Sequence, residues 1–354
     1  MHARGRGYVP VVSNVRPHPA YAQAFLAYSN YLNAIAGDLG RRYGHGTALA
    51  EGVRDAVLAH PQLHGVQRRP LTDDVQATFD AGMRKGWAFL RRVLQEVADD
   101  ALYDEEANAL LPYSAWYAVH HIGRAFCVAS RQEIPTTHQA LLHQLGRSVV
   151  KRGLLPLPWA AWSEGCPQLD TTVYGGIGPV GDIHVLSHPT PDTTEDRLAL
   201  VLRTTRKRDV ERVFDEARGR QVTRGRTRRN LGSEEKKRLA SRLAPTTLFD
   251  FMYRLRIAAS YGDADVFVLG SEDEVDARRL AVSLGVLCDA TVAGLEALVA
   301  AYAGPAVVAK AARSYSERAG SELIQRRAAD WDGRAPARRA SAPPASVLDD
   351  DIPF

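Results

Sequence analysis

Cysteine is scarce in this chain. Its 354 residues include three, Cys127, Cys166 and Cys288, and no two form a CxxC pair. That excludes a disulfide framework and a cysteine-based structural zinc site, and it makes reduced thiols in the cytoplasm the expectation. The first residues, MHARGRGYVPVV, lack an apolar core of signal-peptide length, which points to the same compartment. No run is built for a membrane. The most apolar stretch, residues 281–309, contains Asp289, Glu296 and a Gly304-Pro305 break, so it reads as a buried core helix. No internal repeat is present. Gly176, Gly178 and Gly181 satisfy GxGxxG, but Pro179 interrupts them and a strand-like IHVL follows. That context makes a turn, and no Walker lysine follows it. Asp182, His184 and His188 lie on no confident helix, so no metal and no cofactor is implied.

Net charge is also nearly absent. Lys and Arg total 45 against 41 Asp and Glu, a sum of +4. The average hides a segregation. Residues 203–242 hold 15 basic and 6 acidic side chains, a net of +9, so the remainder is about −5. The densest part, RGRQVTRGRTRRN at 218–230, has no acid. Such a segment neutralises phosphates and releases counterions, giving salt-sensitive binding without base specificity. Arg218, Arg220, Arg224, Arg226, Arg228, Arg229, Lys236 and Lys237 are the candidate nucleic-acid contacts. No aromatic residue lies between Val222 and Thr247, so this segment does not stack bases.

What is abundant is helical periodicity. Apolar residues recur at helical spacing over residues 20–36 and, more briefly, over 47–59. Thr72 opens a longer stripe of Val75, Phe79, Met83, Trp87, Leu90, Val93 and Val97, with Asp73 and Asp74 suiting its positive N-terminal end. Helices are expected over 113–129, 136–151, 246–260, 272–303 and 306–329. Between 153 and 195, prolines and glycines break the pattern, with short strands near 171–174 and 183–186. Residues 196–243 are charged and helix-prone, interrupted by Gly219 to Gly232. Trp159 and Trp162 read as a packed cover over the bundle. His120 and His121 point apart on a helix, one packed and one exposed. The expected fold is mainly α. Its parts are an irregular arm (1–17), N-terminal helices and the first part of a bundle (18–155), a Pro/Gly-rich and basic, partly irregular insertion (156–245), closing helices (246–330), and a flexible linker with an acidic tip (331–354).

The last six residues are Asp349, Asp350, Asp351, Ile352, Pro353 and Phe354. With the Pro/Ala/Ser-rich linker before them, they resemble the C-terminal tip of bacterial single-stranded DNA-binding proteins. The chemistry is legible in the residues. Phe354 offers a ring and a carboxylate, which a hydrophobic pocket rimmed by a cation captures together. Pro353 lowers the ordering cost, and the aspartates steer toward a basic ridge. The rest of the chain lacks the five-stranded barrel of those proteins. The resemblance therefore implies a borrowed docking peptide, with replication and repair proteins as partners. The tip could also fold onto the chain's own +9 segment.

Residues 113–155 read YSAWYAVHHIGRAFCVASRQEIPTTHQALLHQLGRSVVKRGLL, and 249–267 read FDFMYRLRIAASYGDADVF. The first block resembles the HEPN superfamily through Ser114, Trp116, Tyr117, Ala118, His121, Arg124 and Ala125, then Thr137, His138, Leu141 and Gly153-Leu154. The second resembles a later helix of the same branch through Arg256, Ala259, Tyr261, Gly262 and Asp263, with Ser260 replacing an acidic residue. The resemblance implies a helical bundle, often a homodimer, and in many members a metal-independent ribonuclease with an R-x4–6-H signature. There Arg stabilises phosphate charge and His moves protons. No histidine follows Arg256 within six residues, and Tyr261 stands near instead. Arg131 and His138 satisfy the spacing elsewhere, as do Arg54 and His60. The leading expectation is a nucleic-acid-associated accessory or anti-phage defence protein docking through its tip. The alternatives are a HEPN ribonuclease using Arg256, Tyr261, Arg131 or His138, and a non-catalytic RNA-binding dimer. No membrane contact is expected.

Overall fold

Helix-forming stripes become helices almost wherever the apolar spacing is sustained. The computed structural model describes residues 19–68, 70–98, 108–180, 194–220, 222–223, 226–227, 230–260, 264–271 and 273–334. The N-terminal half contains α1 (Pro19–Tyr43), α2 (Thr47–Leu58), the short α3 (Pro61–His64), α4 (Asp73–Ala98), α5 (Leu111–Ala129) and α6 (His138–Leu145). A π-helical turn, Gly146–Val150, extends α6. The C-terminal half contains α9 (Leu248–Ser260), α10 (Ala264–Leu269), α11 (Glu274–Ala303), α12 (Pro305–Ala319) and α13 (Glu322–Arg334). These two halves share one core. Phe79, Met83, Trp87, Leu90 and Val93 of α4 are fully buried in it, against α5 and α11. The protein is mainly α.

The 281–309 stretch behaves as its acids suggested. α11 is the one described helix long and apolar enough to cross a membrane, and it lies mostly buried in the bundle. The expected single helix over 306–329 is two. Gly320 adopts φ 59, a left-handed conformation that glycine tolerates, and it separates α12 from α13. α13 then carries Trp331 into the core, fully buried, so residues 331–334 are the last turn of a helix and not linker.

Residues 196–243 form helices on either side of the Gly219–Gly232 interruption, as their helix-prone composition implied. The largest part of the basic insertion is a 27-residue helix, α7 (Thr194–Arg220), followed by a small hairpin of β3 (Val222–Thr223) with β4 (Arg226–Thr227) and by α8 (Ser233–Ala240). Periodicity is weak in α7 because few of its residues are apolar. Its buried anchors, Leu198, Leu202, Val210 and Phe214, nevertheless attach it to small satellite cores with Ala161 and Cys166. Charge pairs along the helix add support: Arg212 with Glu216 at 2.9 Å, and Arg218 with Asp215 at 2.7 Å. A three-stranded sheet orders β2 (Val173–Gly175), β1 (Trp162–Glu164) and β5 (Thr246–Thr247), all antiparallel pairs. The strand near 171–174 is therefore present one register later, and β1 was hidden by its shortness. The strand expected at 183–186 and the residues Asp182, His184 and His188 lie outside the described residues. Trp159 is fully buried and donates to Thr291 Oγ1 at 2.9 Å, the packed cover expected of it.

Candidate functional site

Helix α5 carries the chemistry because its sequence puts rings on one face. Tyr113, Tyr117 and His121 are spaced four apart, so they stack along the helix surface. The Tyr113 and Tyr117 centroids are 4.4 Å apart, and Tyr117 and His121 are 5.9 Å apart. Phe89 from α4 backs all three, lying nearly parallel to His121. Two glycines of α4 permit this close approach. A Cβ on Gly82 would meet the His121 carbonyl and Ala125 Cβ at 3.2 Å, and one on Gly86 would strike Ile122 at 2.5 Å. Tyr113 remains 36% exposed, and Lys85, Arg124 and His121 line a shallow cleft beside the stripe.

His138 enters from α6. Thr137 caps that helix, its hydroxyl accepting from Ala140 N at 3.1 Å, which sets His138 in the first turn. The His138 ring lies among Trp116, Tyr117, His120 and Tyr253, at centroid distances of 4.4–5.9 Å. Trp116 Nε1 donates to His138 Nδ1 at 3.1 Å. An indole N–H can only donate, so His138 Nδ1 is unprotonated and the ring's proton sits on Nε2. His120 Nδ1 lies 3.1 Å from the same atom. Burial lowers the His138 pKa, and Arg256 lowers it further. Burial takes His120 down to about 3 and His121 to about 4, with neighbouring cations adding to both. The cluster is neutral at physiological pH. His120 is buried and His121 is half-exposed, as their offset on a helix implied.

Arg256 arrives from α9. Its guanidinium carbon is 5.9 Å from the Tyr113 ring centre and 6.0 Å from that of Tyr117. Two sequence candidates, Arg256 and His138, are therefore brought together from different helices, across Tyr117. Arg131 is used differently. It sits at φ 59 just past the end of α5 and donates to the Pro70 carbonyl. Tyr261 lies outside the described residues. Arg54 is buried in an ion network, and His60 caps α3 by accepting from Gln62 N, so that pair is structural. Sequence reasoning missed His120 and Tyr253 as partners, because only packing between helices brings them to His138.

A cavity of about 350 Å³ opens on the other side of Tyr253, between α6, α7 and α9. Arg206, Arg208, Arg212 and Arg254 line it, together with His143. Its acids are Asp209 and Asp250. Burial raises the pKa of both, and Asp250 reaches about 7. Among the other basic candidates, Arg218 pairs with Asp215, Lys237 pairs with Glu234 at 2.9 Å, and Lys236 is half-exposed on α8. Such exposed pairs are worth about 0–1 kcal/mol, so phosphate can displace them. Arg224, Arg228 and Arg229 lie outside the described residues, as do the side chains of Arg220 and Arg226 and all of residues 349–354.

The histidines set a pH response. Their folded pKa values are depressed, so their contribution to stability is complete above the ordinary value of 6.5 and is lost as pH falls toward 4 and 3. Asp250 opposes them, because a raised carboxyl favours the fold at low pH and loses that advantage on the way up to about 7. Thermal melts at pH 7 and pH 5 should show a lower Tm at pH 5. His120→Asn should shrink the difference and Asp250→Asn should enlarge it. An unchanged difference in both variants would refute this assignment.

Among the described residues, no three His, Cys, Asp or Glu side chains gather as a metal-binding group. Compared with protein-family models, curated proteins and solved structures, the chain matches none.

Proposed function

We propose that this is a nucleic-acid-associated accessory or defence protein. It holds single-stranded nucleic acid on the α5 face and docks onto replication or repair proteins through residues 349–354. The observation that carries the first half is the half-exposed Tyr113–Tyr117–His121 stack flanked by Arg256, Arg124 and Lys85. Rings accept unpaired bases of any sequence, and flanking cations take the phosphates. A duplex hides its base faces and offers no such contact. The basic segment supplies phosphate contacts without rings, so the two surfaces complement each other. The test is fluorescence anisotropy with a labelled single strand and the matching duplex. Tighter, salt-sensitive binding of the single strand is expected, and equal binding of both would discard the reading.

The docking half rests on the resemblance of residues 349–354 to the tips of single-stranded DNA-binding proteins. Removing Phe354 should strip replication and repair proteins from what the full chain captures, while single-strand affinity stays constant. Capture that survives the deletion would exclude the tip as the docking element.

A second reading, a HEPN-like ribonuclease and dimer, is favoured by one specific feature. His138, neutral with its proton on Nε2, lies close enough to Arg256 for that cation to depress its pKa. An Arg and a His at one phosphodiester could stabilise charge and move a proton without a metal. The packing of α4, α5, α9 and α11 around one another supports such a bundle. RNA cleavage that disappears in both Arg256→Ala and His138→Ala would establish this reading. Cleavage by those variants at the wild-type rate would dismiss it.

A further inference from the structure

We infer that the cavity between α6, α7 and α9 binds a phosphate monoester with an aromatic body, of nucleoside-monophosphate size. This site stands apart from the α5 stripe and does not depend on it. Its volume of about 350 Å³ is within the range of small-ligand pockets.

The cations of the cavity differ in how firmly they are held. Arg206 is buried and committed to backbone carbonyls of Gly165, Ala240 and Ala244. Arg254 is held in place but not neutralised. Its Nη1 donates to the Thr204 and Thr205 hydroxyls at 3.2 and 3.3 Å, and its guanidinium lies 5.3 Å from the Tyr28 ring centre. Its buried Nε has no hydrogen-bond partner among the described residues. Arg208 and Arg212 reach the cavity from exposed positions on α7, one turn apart; Arg212 pairs with Glu216 at 2.9 Å and Arg208 contacts the Tyr28 hydroxyl at 3.5 Å, contacts of exposed side chains that a phosphate can displace.

The two acids are outnumbered by the four guanidiniums. Asp250 Oδ2 accepts both the backbone N–H and the hydroxyl of Thr247 at 2.7 Å, so it is occupied in capping α9. Burial also biases Asp209 and Asp250 toward their neutral forms. Three forked guanidiniums around one partly desolvated space call for a dianion with several acceptor oxygens, which phosphate monoesters supply. The remaining wall is apolar: Leu142, Leu243, Ile257 and the Tyr253 ring. That wall suits a flat aromatic body. Tyr253 also packs on Trp116 at 5.1 Å and on His138 at 5.5 Å, so an occupied cavity would press on the histidine cluster.

Such a group could come from a free nucleotide or from the 5′ end of a strand. The full chain is titrated by calorimetry with AMP, adenosine, and one single strand with and without a 5′-phosphate. AMP should bind at least roughly tenfold tighter than adenosine, the worth of a charged hydrogen bond or more. Arg208→Glu with Arg212→Glu should cost at least roughly tenfold for the phosphate ester. Both residues are exposed, so the melting temperature should fall only slightly, by the loss of the exposed Arg212–Glu216 pair; Arg254→Lys, which keeps the charge and loses the fork, should also weaken binding. A preference for AMP assigns the site to free nucleotides, and a preference for the 5′-phosphorylated strand over both AMP and the unphosphorylated strand assigns it to strand ends. Either result upholds the site. It is overturned if neither ester binds, if adenosine binds as well as AMP, or if the charge-reversed protein binds like the wild type. Tyr117→Ala should leave AMP affinity intact while weakening the single strand, which separates failure here from failure of the α5 surface.

Discussion

Arg327→Ala is expected to destabilise the protein by about 3–5 kcal/mol, the cost of stranding a buried charge. The stranded group is Glu296, in the middle of α11 and fully buried. It accepts from Trp87 Nε1 at 2.6 Å and from Arg327 Nη1 at 2.7 Å, while Arg54 Nε stands 3.5 Å away. Arg327 also pairs with Asp289, and Arg54 with Asp330. Burial opposes the charge on Arg327, but Glu296 and Asp289 more than offset it and hold its pKa above the ordinary value. Arg54 is the weaker partner. Its Nε stands without a hydrogen bond and its Nη1 is committed to Asp330, so it replaces the lost guanidinium only in part. Urea unfolding of Arg327→Ala, Glu296→Gln and the double variant measures the coupling. The double variant should cost clearly less than the sum of the two, because it removes both ends of one pair. A loss below about 1 kcal/mol in Arg327→Ala would show that the network is not what holds α13 to the bundle.

The second large effect concerns binding. Tyr117→Ala should weaken single-strand affinity by about 1–3 kcal/mol, or roughly five- to 150-fold, the cost of one lost stacking platform. Tyr117 is the centre of the stripe, touching Tyr113, His121, Phe89 and His138, with Arg256 over its face. Tyr117→Phe keeps the ring and should retain most of the affinity. That contrast separates stacking from loss of the phenol hydroxyl. Arg256→Gln should reduce both affinity and its salt dependence, because one phosphate contact is gone. Equal affinities for the wild type and Tyr117→Ala would remove α5 from the nucleic-acid surface.

Most helices were readable in advance, and the reasons are local. The stripe from Val75 to Val97 becomes α4 with its large apolar residues facing inward, because a 3.6-residue period puts them on one side. Thr137 and Pro112 mark helix starts through capping and a fixed φ. The error at 306–329 came from a Gly whose sign of φ is not written in composition. The helix-prone reading of residues 196–243 holds in α7 and α8. α7 is long and charged, and it is held by a few anchors such as Val210 and Phe214 together with ion pairs, so it shows little amphipathic signal. Length alone hid β1 and β5.

The candidate site was readable only in pieces. Arg256 and His138 both stand out in the sequence, yet nothing in it pairs them, because spacing along one helix does not reach across two. The cavity between α6, α7 and α9 left no mark in any one segment. Its arginines come from α7 and α9 and its apolar wall from α6, α9 and Leu243. By itself the sequence determined the helical class, the buried face of each strong helix and the segregation of charge along the chain. These follow from neighbours three or four residues apart. Only the tertiary structure decided that Arg256 meets His138 across Tyr117, and that Glu296 lies between Arg327, Arg54 and Trp87. Such meetings depend on how closely two helices approach and at what register. Gly82 and Gly86 set that approach for α4 on α5, and a one-residue change would turn the rings to another face.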